Sequence, residues 1–334
     1  MPWHWLRADQ MSPVFCHHWS SMTPYEASLH AYPEKRERRM RLKLWGRMLI
    51  QTRLYRELMV GLDADQLLQA AVARRRTLLV KPFRTYITTR YTARQRLEHL
   101  LGHYALQRQY LGDSLSASVL DGIGLPLMRL TVGDQAVDFV LGYRGLHDRE
   151  GELMLMLLDG LSGKRLYSAA FSLMSDPGGT ASLCLGTLQG NRDQADWIKA
   201  FARQYHGLRP QAFMLEALLM LARIWGVAGL VTVDNAHHVY RARKRTAAKR
   251  RFDLDALVAG FGGKASADGW FRLGLDDGRR SIEEIASRKR SQYRKRYAWL
   301  ASMETQLGER LAPTEPAISC PGSRRREESH TVVG

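Results

Sequence analysis

The sequence has 334 residues, 45% of them hydrophobic, and a formal net charge of +17 at pH 7. A chain of this length can bury a large core, in one domain or in one domain with a helical extension. The excess of basic residues favours a polyanionic partner, such as nucleic acid, an anionic membrane or a phosphate-bearing ligand, but it is also typical of an arginine-rich genome. Three widely separated cysteines form neither a disulfide framework nor a metal-spaced pair, which favours a reducing compartment.

Helices are predicted for the N-terminal third of the chain. Residues 1–33 contain four prolines and scattered aromatics, and we expect an irregular lead-in there. Residues 34–60 combine an apolar stripe with nine basic residues. This pattern is typical of a basic amphipathic helix, which either packs on its own domain or lies on an anionic membrane. Further helices at 63–75 and 92–110 complete a helical region that we place at 34–115.

The hydrophobic period changes from that of helices to that of strands after Gly124. Five runs with strand character, separated by glycine-containing turns, predict an antiparallel meander. These runs lie at 127–131, 135–143, 152–158, 165–172 and 181–188. A polar helix at 193–205 follows, then a buried helix that begins at Pro210 and ends before Gly226, and a buried strand at 230–233.

The C-terminal part is predicted to contain two more helices and one strand. The helices lie at 252–261 and 282–311, and the strand between them lies at 269–273. The fold class is therefore α+β: N-terminal helices, then a largely antiparallel sheet with packed helices, and a long C-terminal helix. We place this α+β core at 116–311, and we expect the polar tail at 312–334 to be disordered.

No membrane span and no secretory signal are predicted. The most apolar stretch, 211–233, contains Glu216 and Arg223 and is interrupted by glycines, which is typical of a core segment. The first residues lack the charged and apolar regions of a signal peptide. We therefore expect a cytoplasmic protein, either free or bound peripherally to the inner membrane.

Candidate catalytic side chains follow the predicted strand at 230–233, because ligands in open sheets usually bind at the C-terminal ends of strands. His238 is a candidate general base, and Tyr240 is a candidate general acid. The alternative is a hydrogen-bonded turn, in which Asp234 or Asn235 caps a short helix.

Two predicted helix starts are candidate phosphate sites, because free N–H groups and the positive end of the helix dipole lie there. The first contains Gly190 and Arg192, and the second contains Gly207 and Arg209. Each combines a glycine, for close approach, with an arginine, for charge. Every helix start offers free N–H groups, so the pattern alone does not identify a ligand.

Residues 241–251 carry seven basic and no acidic side chains, which predicts either a nucleic-acid or phosphate patch or a solvated loop. The run has no aromatic residue for base stacking, which argues against single-strand binding. The motifs GxGxxG, GxxxxGK[ST], HExxH, CxxC and GxSxG are absent. Their absence disfavours nucleotide, zinc and serine hydrolysis, and no metal site is predicted.

Several motifs together resemble the VirK/YbjX family of proteobacterial proteins. They lie at 207–241, at 269–273 followed by 287–297, at 81–86 and at 103–104. The resemblance covers about residues 35–310. It implies a bacterial protein linked to virulence and to envelope responses to host antimicrobial peptides, and it supplies no catalytic residues.

A second resemblance, to GNAT N-acyltransferases, concerns the order of the elements. It implies an N- or O-acyltransferase or a degenerate acyl-CoA binder, in which Gly190, or Gly207 with Arg209, meets the coenzyme A phosphates. Asn235 and Tyr240 match the later groups by position. The chain departs from that superfamily, because its Q-x-x-G-x-G/A motif is missing and an extra helix precedes the central one.

The alternative is a non-enzymatic basic accessory protein that binds anionic lipid or nucleic acid. Its basic faces would be residues 35–56, 241–251 and 288–296. In both hypotheses the ligand is anionic, as coenzyme A phosphates or as anionic lipid. The sequence leaves the substrate and the oligomeric state open.

Overall fold

Five α-helices form the N-terminal part of the molecule in the computed structural model. The structure describes residues 18–143, 145–176, 178–191, 194–242, 253–275 and 279–312. Helices α1 to α5 are Pro24–Ala31, Arg38–Ile50, Thr52–Ala64, Gln66–Arg74 and Ala93–Leu120. A 3-10 segment, Arg76–Phe83, connects α4 to α5. These elements pack around an apolar cluster of their own, separate from the larger cluster against the sheet.

Two of these helices differ from the prediction. Helix α1 lies in the segment that was expected to be irregular, and it forms because Thr23 and Glu26 make a capping box at its start. The single helix predicted at 34–60 is divided into α2 and α3 at Gln51. The φ of −110° and ψ of 48° at this residue lie outside the helical region.

The predicted antiparallel meander is confirmed. Its strands β1 to β5 are Leu125–Val132, Gln135–Gly142, Leu153–Asp159, Arg165–Ser175 and Ala181–Gly190. Each strand pairs with the next one along the chain. The long apolar runs of β3 and β4 follow from burial on both faces of the sheet.

Strand β6, Gly229–Val233, extends the sheet beside β5. It pairs with β5 in parallel, through 183–185 and 230–232, and this is the only parallel pair among the strands that the structure describes. Strand β8, Trp270–Gly274, runs antiparallel to β6, and the short β7, Lys264–Ala265, forms the edge.

In the described parts of the chain, four further helices complete the α+β fold, which agrees with the predicted class. Helices α6 to α9 are Ala195–Gln204, Pro210–Ile224, Leu254–Gly260 and Ser287–Leu311. Helix α7 is buried along most of its length and contacts β4, β5, β6 and α9. Ser281 and Glu284 form a capping pair, but it closes a turn ahead of α9, so the helix begins at Ser287 and not at the predicted 282. In the part of the chain described, no helix is long and apolar enough to cross a membrane.

Candidate functional site

The segment 147–152, between β2 and β3, carries two buried carboxylates, Glu150 and Glu152. Gly151 lies between them, and a Cβ at this position would be 2.6 Å from backbone atoms of β4. The carbonyl group of Glu150 lies so close to Gly186 of β5 that no side chain would fit there. The segment is therefore held directly against two strands, which fixes the positions of both carboxylates.

Glu152 is the centre of a buried network that joins the N-terminal helices to the sheet. Its carboxylate contacts the ammonium group of Lys81 and lies 3.4 Å from the guanidinium of Arg75. The hydroxyls of Tyr86 and Tyr104 donate hydrogen bonds to it at 2.6 and 3.0 Å. Burial would raise the pKa of Glu152, but Lys81 and Arg75 hold it below its ordinary value. A buried and fully partnered carboxylate of this kind is typical of a structural ion pair.

Asp148 extends this network towards the surface. It contacts the guanidinium of Arg84 and lies 3.7 Å from the Lys81 ammonium, and the Tyr143 hydroxyl donates to it at 3.2 Å. The guanidinium of Arg75 lies 3.7 Å from the centre of the Tyr143 ring. Burial would raise the pKa of Asp148, but Lys81 and Arg84 lower it to about 2.

Glu150 is also buried, but its partners are two histidines and a tyrosine. His147 Nδ1 lies 2.8 Å from Oε2, and the Tyr240 hydroxyl donates to the same oxygen at 3.2 Å. His238 Nε2 lies 3.3 Å from Oε1. Burial would raise the pKa of Glu150, but its hydrogen bonds with His147 and His238 lower it to about 2. The carboxylate is therefore ionised at neutral pH.

Both ring nitrogens of His238 are occupied within the protein. Nε2 lies 2.9 Å from the carbonyl oxygen of Gly186, which can only accept, so we assign the proton to Nε2. Nδ1 accepts a hydrogen bond from the backbone N–H of Tyr240 at 3.4 Å. Gly186 is the extra residue where the register between β4 and β5 shifts. His238 therefore holds Glu150 and this bulge in place.

His147 combines an unusual backbone with a well-defined tautomer. Its φ of 60° is uncommon for a residue other than glycine. Nε2 lies 3.2 Å from Nη1 of Arg165, which can only donate, so the proton is on Nδ1, facing Glu150. Arg165 also donates to Asn191 at 3.1 Å. A polar chain thus runs from Glu150 to the residue after β5.

The segment 86–89 closes the site from the N-terminal side. Ile87 has a φ of 59°, which is an outlier for a β-branched residue. Its N–H donates to the carbonyl of Arg149 at 2.8 Å, and Thr88 forms a β-bridge with His238. Such strain persists only where the surroundings over-determine the backbone, and it occurs often at functional sites.

The structure brings together two of the residues selected from the sequence. The rings of His238 and Tyr240 are 5.4 Å apart, and both side chains contact the same carboxylate. Asn235 belongs to a different cluster. Its backbone N–H donates to Asp255 at 3.0 Å, and its Nδ2 donates to Asp253 at 2.7 Å. These two bonds tie the chain that follows β6 to α8.

The glycines of the two predicted phosphate sites have packing explanations. A Cβ on Gly190 would be 2.6 Å from the ring of Tyr167. Gly207 has a φ of +79°, and its N–H bonds back to Ala202 of α6 at 2.6 Å, so it forms, with His206, the left-handed turn that ends this helix. Arg209 is exposed at the start of α7, and Arg192 lies outside the described residues.

The predicted basic run is described only in part. Only Arg241 and Ala242 of the basic run 241–251 belong to the described residues. Within the described ranges, no group of three or more His, Cys, Asp or Glu side chains is placed to hold a metal ion.

The sequence reasoning missed both buried carboxylates. Glu150 lies in a charged run between two predicted strands, which is usually an exposed hairpin loop. Glu152 is the first residue of the predicted strand at 152–158, and neither position shows that the side chain turns inward. A usable signal was Gly151, because a glycine beside a strand often marks close backbone approach. Lys81 and Tyr86 were noticed only through the family resemblance.

Comparison with known proteins identifies the family. A family model described as "Protein of unknown function (DUF535)" matches residues 33–309. The chain belongs to this family. The "Uncharacterized protein YbjX" of Escherichia coli (strain K12) is 30% identical over 280 residues, which cover 81% of this chain and 83% of that protein. These matches confirm the VirK/YbjX resemblance.

Two proteins of Haemophilus influenzae, each described as "Uncharacterized protein", are also similar. The first is 28% identical over 221 residues, which cover 66% of this chain and 72% of that protein. The second is 28% identical over 201 residues, which cover 58% of this chain and 65% of that protein. The names of these relatives carry no activity over to this chain, so a function has to be argued from the site.

Proposed function

We propose that this protein binds an acyl-coenzyme A and transfers the acyl group to an amine or a hydroxyl. The observation that carries the proposal is the divergence of β5 and β6. They run parallel and pair through only three residues, after which β5 continues to Gly190 while β6 ends at Val233. Glu150 and its partners lie beside this divergence, because His238 bonds to Gly186 of β5. Ligands in open sheets often bind where neighbouring connections separate in this way.

The partners of Glu150 suit the proton transfers of such a reaction. In the proposed step the acceptor attacks the thioester carbonyl, the C–S bond breaks, and the departing thiolate takes the proton of the Tyr240 hydroxyl. The acceptor displaces Arg165 from Nε2 of His147, this nitrogen takes the proton that the acceptor loses, and ionised Glu150 stabilises the resulting imidazolium. His147 and Tyr240 bind the same oxygen of Glu150, so this proton can return to Tyr240.

The remaining predicted residues have supporting roles in this proposal. His238 is a positioning residue, because it lies against Glu150 and bonds to the carbonyl of Gly186 and to the N–H of Tyr240. Arg209, exposed at the start of α7, is the proposed partner of the coenzyme A phosphates. The side chains of Gln292 and Arg296 lie next to the neighbouring Gly207, and Arg296 adds positive charge there.

The test is a thermal-shift titration with acetyl-CoA and with a long-chain acyl-CoA, at low and at high salt. A ligand at about a hundred times its dissociation constant should stabilise the folded protein by roughly 2.7 kcal/mol. A shift that survives high salt supports a shaped pocket. A shift that disappears with salt, or no shift at all, contradicts the proposal and favours a general binder of polyanions.

Two variants separate binding from chemistry. Arg209→Ala should weaken the shift, while Lys43→Ala, a change of one exposed cation on α2, should leave it unchanged. Tyr240→Phe should keep the shift and slow the release of coenzyme A thiol by roughly a hundredfold. If Tyr240→Phe releases thiol at the wild-type rate, the assigned proton donor is wrong.

We also propose, on the family resemblance alone, that the protein acts in the cytoplasm in the envelope response to antimicrobial peptides. The virulence link belongs to the same proposal. A deletion strain should become more sensitive to cationic peptides, and the Tyr240→Phe gene should fail to restore resistance. Unchanged sensitivity of the deletion strain would contradict this role without affecting the proposed chemistry.

A further inference from the structure

We propose that the exposed surface of α1 and α2, with the corner between α2 and α3, binds an anionic lipid bilayer. This inference does not depend on acyl transfer. We call the surface the α2 face, and it has apolar and basic members. The apolar members are Tyr25, Leu29, Leu42, Leu49 and Ile50, and the basic members are Arg38, Arg39 and Lys43.

Exposed apolar side chains are concentrated on this part of the molecule. Ten large hydrophobic side chains of the described chain are exposed, and seven of them lie between residues 25 and 60. Ile50 is 86% exposed and Leu49 is 49% exposed, at the point where the chain turns from α2 into α3. Apolar side chains scattered singly need no explanation, but a cluster of this kind marks an interaction surface.

The apolar and basic members form two adjoining stripes. Leu42 and Leu49 are seven residues apart on α2, which places them on the same side of the helix. Arg39 and Lys43 are four residues apart and lie beside them. The opposite side of α2 is buried through Leu44 and packs on the domain. The exposed side therefore has the two-stripe character of a helix that lies in a membrane interface.

The charge of the α2 part of this surface is of one sign, and the acid of α1, Glu26, is bonded to Thr23. Residues 38–56 contain seven basic and no acidic side chains. Arg38, Arg39 and Lys43 form no ion pair with another described residue, whereas Arg53 pairs with Glu57 at 3.1 Å. On such a surface the cations attract the headgroups of an anionic bilayer, and the adjacent apolar side chains reach the boundary of its acyl chains.

Two aromatic rings support the choice of a bilayer over a nucleic acid. Tyr25 of α1 and Trp45 of α2 pack edge to face, with ring centres 6.0 Å apart, beside the exposed stripes. Tyr and Trp are enriched at membrane–water interfaces, since their rings are apolar and their tips are polar. A nucleic acid would be attracted by the cations, but it offers no partner for exposed Ile50 and Leu49.

The test measures how full-length protein partitions onto vesicles of phosphatidylcholine with phosphatidylglycerol, and onto vesicles of phosphatidylcholine alone. The protein should sediment with the anionic vesicles and largely stay in solution with the neutral ones. Ile50→Glu should weaken partitioning by about tenfold or more, because it removes an inserted apolar group and adds a repelled charge. Lys43→Gln should weaken it by about fivefold.

Matched controls use exposed residues elsewhere. Leu161, on the turn between β3 and β4, is 99% exposed, and Leu161→Glu should leave partitioning unchanged. Lys199 is an exposed lysine on α6, and Lys199→Gln should also have no effect. Every variant keeps the full chain, so other basic segments contribute equally, and unchanged thermal unfolding confirms that each variant is folded.

Three results would overturn the proposal. One is the absence of binding to anionic vesicles. Another is an effect of Leu161→Glu as large as that of Ile50→Glu, which would mean that added charge alone weakens binding. The third is binding to duplex DNA that is lost in the Lys43→Gln variant and insensitive to Ile50→Gln, which adds no charge, because a purely basic face for nucleic acid would behave in this way.

Discussion

Glu150 and Glu152 lie two residues apart on the same backbone segment, both are buried, and both have lowered pKa values. Their surroundings nevertheless differ. Glu152 contacts the side chains of Arg75 and Lys81 and two buried tyrosines. Glu150 contacts two imidazoles and the half-buried Tyr240. One carboxylate can therefore only hold the fold together, whereas the other is surrounded by groups that exchange protons.

The difference follows from which elements reach each carboxylate. The partners of Glu152 come from the N-terminal helices and the 3-10 segment, so this ion pair fastens that region to the sheet. The partners of Glu150 come from its own loop and from the chain that leaves β6, where the sheet opens. Glu152, in a structural ion pair, and Glu150, in the candidate site, are thus separated only by Gly151.

The largest effect is expected when the buried ion pair is broken. Lys81→Met should lower the free energy of unfolding by about 3 to 5 kcal/mol, because Glu152 loses its closest cation without regaining water. Denaturant unfolding followed by circular dichroism measures this. Arg272→Met removes one partner of an exposed pair with Asp268, and it should cost less than about 1 kcal/mol.

A second substitution keeps this prediction testable if Lys81→Met does not fold. The double variant Lys81→Met, Glu152→Gln removes the uncompensated charge, so it should recover part of the lost stability. A double variant less stable than the single one, or a single variant as stable as Arg272→Met, would show that the pair does not fasten the helices to the sheet.

Local sequence patterns were sufficient for most of the architecture. The change of hydrophobic period after Gly124 predicted the meander, and Gly226 marked the end of the central helix, where its φ of +64° matches a left-handed cap. The division of the helix at Gln51 was not predicted, because an apolar stripe runs through both halves. Such a break follows from packing against other helices, which periodicity does not reveal.

The candidate site was only half predictable for a different reason. His238 and Tyr240 follow a recognisable strand, and the rule that ligands bind at strand ends selected them. Their common partner, Glu150, lies 88 residues before His238 in the chain. The buried state of this carboxylate depends on contacts between distant segments. A charged loop in a single sequence does not reveal such contacts.

The next largest effect is on the free energy of unfolding, which should depend on pH through the ionisation of Glu150. The folded pKa is about 2 and the ordinary value is 4.5, so in acid the unfolded chain takes up the proton first. The stabilisation is therefore complete above about pH 4.5 and is lost as the pH falls towards 2. Its size is about 3 kcal/mol, from the difference in pKa and about 1.4 kcal/mol per unit.

Glu150→Gln isolates this contribution from that of the other acids. We expect the wild type to be more stable than the variant at pH 7, and the gap to narrow between about pH 4.5 and 2. Urea unfolding at several pH values measures the gap. A gap of constant size would mean that the charge of Glu150 does not contribute to the stability of the fold.

The smallest effect on stability, and the sharpest distinction between the carboxylates, comes from their tyrosines. Tyr104→Phe removes a buried donor to Glu152 and should cost about 2 kcal/mol. Tyr240→Phe removes a longer bond at a half-buried position and should cost about 1 kcal/mol or less. Under the proposed chemistry, the order reverses for activity, because only Tyr240 donates a proton to the substrate. If both variants lost the same fraction of turnover, the assignment of Glu152 as structural and Glu150 as functional would be wrong.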